Sequence, residues 1–105
     1  MKNQKIKVGI YTNGASLRVI GEHDLTTQTY GHREEAIYLV EVSMMRDPRN
    51  EFTEAEKESL IRSMKQNFEN NNFQFKAKNR AEADIFIKKV VGSKSWKVVR
   101  DLVEV

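Results

Sequence analysis

The chain contains no cysteine among its 105 residues. That excludes a disulfide framework, a thiolate metal site and a thiol nucleophile, and leaves packing as the source of stability. No apolar run approaches the roughly 20 residues that span a bilayer. The opening segment MKNQKIKVGIYTN alternates instead of forming a signal-peptide core, so the cytoplasm is the expected compartment. Proline occurs once, as Pro48, and Arg46-Asp47-Pro48-Arg49-Asn50 should end a strand, because proline cannot donate to a ladder. Repeats, low-complexity tracts and linkers are lacking as well. A chain this long buries one core, and its 39% hydrophobic and 31% charged content is that of a folded protein. The expectation is one α+β domain over residues 1–105.

What is present is charge, unevenly spread. Residues 1–21 carry Lys2, Lys5, Lys7 and Arg18 and no acid; residues 22–72 carry six basic and eleven acidic groups; residues 73–100 carry eight basic and two acidic groups. If the early and late segments are neighbours in space, they form a basic surface suited to polyanions.

Asn13-Gly14 between two alternating runs marks a β-hairpin, since both residues accept the positive φ of a tight turn. Counting outward pairs Ile10 with Leu17 and Val8 with Val19. Ile6, Val8, Ile10, Leu17 and Val19 then share one side, and Lys7, Tyr11 and Arg18 the other. Residues 23–35 show no helical period and read as a long loop, although Thr26 to Tyr30 can extend a strand. Residues 36–45, AIYLVEVSMM, are apolar on both sides at first, as in a doubly covered strand. Thr53-Glu54-Ala55-Glu56 is a capping box opening a helix to about Asn70. Leu60, Ile61, Met64 and Phe68 lie on its buried stripe, and Asn70-Asn71-Asn72 stops it. Residues 73–78 and 83–91 read as a second hairpin around Asn79-Arg80-Ala81, followed by a last strand from Trp96. The expected architecture is one antiparallel or mixed sheet of about six strands with one helix, in the order β-β-β-α-β-β-β. One helix covers one face, so the apolar surplus of the last strand points to a partner subunit, and a homo-oligomer is expected.

Tyr30-Gly31-His32-Arg33 combines an aromatic face, an imidazole and a guanidinium, a set able to stack on a base or grip phosphate. His23, Asp24 and His32 match no compact metal-ligand spacing. None of the six serines sits in a nucleophile elbow, and Glu54, Glu56 and Glu58 read as helix capping. No catalytic set, cofactor or metal is therefore expected.

Ile10-Tyr11-Thr12-Asn13-Gly14-Ala15 resembles the opening strand of ribonuclease H-like domains, which ends in Thr-Asp-Gly. Asn13 stands at the position of that family's metal-binding aspartate, and a neutral amide is a poor magnesium ligand, so the resemblance implies an inactive relative.

The expectation from the residues is a non-catalytic protein that binds a nucleotide or nucleic acid. Its contacts would be Arg18, His32, Arg33, Arg80 and Arg100, with Tyr30, Phe86 and Trp96 for stacking. The alternative is a viral or mobile-element inhibitor that occupies a partner protein or sequesters a signalling nucleotide.

Overall fold

The computed structural model describes residues 6–45 and 51–104. Five strands, β1 (Lys7–Thr12), β2 (Ser16–Thr29), β3 (His32–Met45), β4 (Phe75–Ala77) and β5 (Lys97–Glu104), form one sheet in the order β4-β3-β2-β1-β5. Every neighbouring pair is antiparallel. Two helices, α1 (Glu54–Glu69) and α2 (Arg80–Val91), lie against it. No helix among the described residues is long and apolar enough to cross a membrane.

The expected six strands and single helix are thus corrected to five strands and two helices. The segment read as the fifth strand is α2. Asn79 caps it, its Oδ1 accepting from the Glu82 amide at 3.0 Å, while Glu82 Oε1 accepts from the Lys78 amide at 2.9 Å. Ala83, Phe86, Ile87 and Val90 recur at helical spacing and pack into one cluster with Tyr11, Ile20, Leu39 and Ala77. A short alternation within Asp84-Ile85-Phe86-Ile87-Lys88 imitated a strand, and the satisfied N-cap decides for the helix. The hairpin expected of residues 73–78 and 83–91 does not form: β4 pairs with β3, and β5 crosses to β1.

The second helix removes the argument that one face of the sheet needs a subunit to cover it. Helix α1 covers the face bearing Ile6, Val8, Ile10, Leu17, Val19 and Val40, with Leu60, Ile61, Met64 and Phe68 as its buried stripe. Helix α2 covers the other face. Strand β3 is doubly covered as expected: Tyr38, Val42 and Met44 pack with the α1 cluster, Ile37 and Leu39 with the α2 cluster.

The first hairpin has the expected facing but not the expected register. Ile10 pairs with Val19 and Thr12 with Leu17, two residues from the predicted pairing. Asn13 is the cause. Its Oδ1 accepts from the amides of Ala15 (3.1 Å) and Ser16 (2.7 Å), drawing Ala15 into the turn around Gly14, whose φ is +92°. A slip of two preserves which side chains share a face.

The capping box at Thr53 and Glu56 is complete. Asn71, at φ +57°, supplies the left-handed residue that ends α1. The turn expected around Pro48 lies outside the described residues, as do Lys2 and Lys5.

Residues 23–35, read as a loop, instead continue the β2–β3 ladder without interruption from Ser16↔Met45 to Thr29↔His32. Tyr30 and Gly31, both at positive φ (51° and 82°), close it in a two-residue turn. The ribbon gives the molecule a long axis of 55 Å against 29 and 20 Å.

Strand β5 forms the opposite edge. Its register to β1 shifts twice, between Val8 and Ile10 and again between Ile10 and Tyr11, and Asp101 Oδ1 accepts from the Leu102 amide at 2.8 Å. Bulges and a self-capped amide make it a poor template for a further strand. Val98, Val99 and Val103 remain exposed on it.

Candidate functional site

The structure divides the predicted ligand contacts among three places. At the middle of the sheet, under α2, Arg18 is committed to the fold. Its Nη1 donates to the Val90 carbonyl at 3.1 Å, its Nε lies 3.3 Å from Glu41 Oε1, and its guanidinium sits 4.6 Å from the centroid of Trp96. Arg18 and Trp96 are therefore brought together, and each occupies the other. Phe86 stacks on Phe75 at 5.0 Å within the same layer.

Arg80 is also engaged internally. From the first turn of α2 it forks onto Glu22, donating through Nη1 and, at 2.8 Å, through Nη2, and it bonds Asp84 through Nε at 3.0 Å. Glu22 exposes 2% of its surface, so this is a carboxylate taken from water and satisfied by a two-pronged partner. The two carboxylates hold the Arg80 guanidinium charged and raise its pKa above its ordinary value, Glu22 being the larger cause. Glu22 was not among the predicted contacts; its signal is an acid directly after the apolar run Val19-Ile20-Gly21, in a strand covered on both sides.

Tyr30, His32 and Arg33 stand together at the ribbon's tip, at the far end of the β2–β3 ladder from Arg18. Arg33 pairs with Glu35 at 3.0 Å, and Lys76 with Glu34, which lowers the Glu34 pKa and raises that of Lys76. The metal trio does not assemble. His23 faces α1, edge-on to Phe68 at 5.9 Å, Asp24 faces the opposite side beside Arg80, and His32 is at the tip.

One group of cations is unspent. Residues 85–100 contain Lys88, Lys89, Lys94, Lys97 and Arg100 and no acid. Lys88 and Lys89 occupy the last turn of α2, Lys94 the following turn, and Lys97 and Arg100 the start of β5, so the group wraps the end of the molecule remote from Tyr30. None of the five forms an ion pair among the described residues, whereas Arg18, Arg33, Lys57, Lys76 and Arg80 all do. Of this group only Arg100 was among the predicted contacts; the acid-free run was the signal for the rest.

Two cavities open among the described residues. One of about 270 Å³ lies beside the first turn, lined by Thr12, Leu17, Phe52, Lys57 and Val99. The other, about 440 Å³, lies at the base of the ribbon, between Asp24, Glu35 and Ile37 on the sheet and Lys78 and Arg80 at the entry to α2.

Asn13, the residue behind the ribonuclease H-like resemblance, has its side chain spent on the turn amides. No protein-family model, no curated protein and no solved structure matches the chain.

Proposed function

We propose that the chain is a non-catalytic, cytoplasmic binding protein whose ligand is a polyanion, most simply a nucleic-acid strand, held at the end formed by α2 and β5. The observation that carries this reading is the unpaired cation group Lys88, Lys89, Lys94, Lys97 and Arg100 in a stretch free of acids. Cations left without internal carboxylates are available to phosphates, and binding by several of them releases condensed counterions. The surface offers phosphate contacts and little that would read bases, which favours binding by charge over recognition of sequence.

The experiment is fluorescence anisotropy with a labelled single-stranded oligonucleotide across a salt series. Affinity should fall steeply with salt, with a logarithmic slope of about −0.7 per phosphate neutralised. Lys94→Glu combined with Lys97→Glu should weaken binding and flatten that slope. Affinity indifferent to salt, or unchanged in the double variant, rules the reading out.

A further inference from the structure

Tyr30 sits where a two-residue β-turn favours asparagine or glycine, at φ +51°, with its side chain 97% exposed. Its side chain makes no hydrogen bond or ring contact among the described residues. A bulky side chain kept in a left-handed turn and offered wholly to water suits an anchor for another surface. The cavity at the base of the same ribbon is a matching receptor. Ile37 supplies an apolar wall, Asp24 an acceptor, and Lys78 and Arg80 cations along its rim.

We propose that the β2–β3 ribbons of two copies of this chain pack face to face and antiparallel, each Tyr30 filling the cavity of the other. The register makes the arrangement self-complementary, as a two-fold interface requires. The ladder pairs Asp24↔Ile37, Thr26↔Glu35 and Gln28↔Arg33 succeed one another at intervals of two residues, so Ile37, Glu35 and Arg33 present one face. Seating Tyr30 over Asp24↔Ile37 of the second copy brings the Gln28↔Arg33 level of one ribbon over the Thr26↔Glu35 level of the other. Arg33 of each copy then meets Glu35 of its partner, and the pair now formed within one chain at 3.0 Å becomes a four-charge cluster across the axis. The cation group on α2 and β5 lies at the other end of each protomer and stays open, so this interface is independent of polyanion binding.

Sedimentation equilibrium over a concentration series tests the proposal, with far-ultraviolet circular dichroism to check that each variant is folded. The unmodified chain should dimerise. Tyr30→Ala and Arg33→Glu should each weaken the dimer at least about ten-fold, as loss of a central anchor does. Exchanging the charges, Arg33→Glu with Glu35→Arg, should restore it. A monomer at every concentration, a dimer untouched by Tyr30→Ala, or a folded charge-exchange variant that stays monomeric overturns the proposal. So does a dimer abolished by Val98→Lys on β5 while Tyr30→Ala leaves it intact.

Discussion

Arg80 shows how one side chain can settle the position of a helix. It reaches from the first turn of α2 to Glu22, and removing it leaves a carboxylate buried with no counter-charge. A fully buried pair broken this way costs about 3–5 kcal/mol, and because the Arg80 side chain is 43% exposed, Arg80→Met should cost nearer 2 kcal/mol, read from the urea midpoint. Glu22→Gln combined with Arg80→Met should recover part of that loss, since no charge is then stranded. His23 makes a second prediction at this scale. Burial lowers its pKa below 6.5 despite the nearby Asp24 carboxylate, so the fold holds the neutral imidazole while the unfolded chain takes up a proton first. Stability should therefore be unaffected well above pH 6.5 and decline as the pH falls through it, and His23→Phe should remove that part of the pH dependence in thermal melts. The burial of Glu22 and His23 was not legible in the sequence, since acid and imidazole side chains next to apolar ones look alike whether a helix covers them or water does.

At the scale of elements, the clearest constraint is how closely α1 approaches β2. A Cβ at Gly21 would run into the Met64 thioether, so the buried methionine end would have to shift to admit one; the φ of this glycine lies outside the positive range, and the constraint is one of space. Gly21→Ala should cost about 1–3 kcal/mol by overpacking, and Gly21→Ala with Met64→Leu should cost less, both read from denaturant midpoints. Helix α1 was legible in advance because three signals coincide in it: the Thr53–Glu56 box, the stripe ending at Phe68, and the asparagines after it. Helix α2 was not, because its β-branched and aromatic residues carry strand preference and its cap was taken for a turn. The difference was still written locally, in Asn79 and Glu82 three residues apart. The β2–β3 ribbon was hidden for another reason. Its outer residues, threonines and charged groups, lack the apolar alternation by which a half-buried strand announces itself, and it is held by ladder pairing and cross-strand pairs instead of a core.

For the molecule as a whole, the segregation of charge along the sequence survives folding only in part. The early cation Arg18 and the late cations Lys76 and Arg80 are absorbed by Glu41, Glu34 and Glu22, all from the acidic middle of the chain. What persists is the run from Lys88 to Arg100, which contains no carboxylate and whose five cations form no ion pair among the described residues. The unpaired cations thus lie at one end of the particle and the Tyr30 ribbon at the other. Pairing of distant segments could not be read from spacing alone: strands next to one another in sequence were expected to pair, and the last strand joined the first.

That join has a kinetic meaning. Residue 7 meets residue 104, so β1 lacks its outer neighbour until synthesis has passed β5. The β1–β2 hairpin and α1 rest on short-range contacts and are free to organise early, whereas closing the sheet with β5 requires the largest loop the described chain can form. Refolding should accordingly end on the docking of β5, and until that step the core strand β1 offers its bare backbone to whatever else is near.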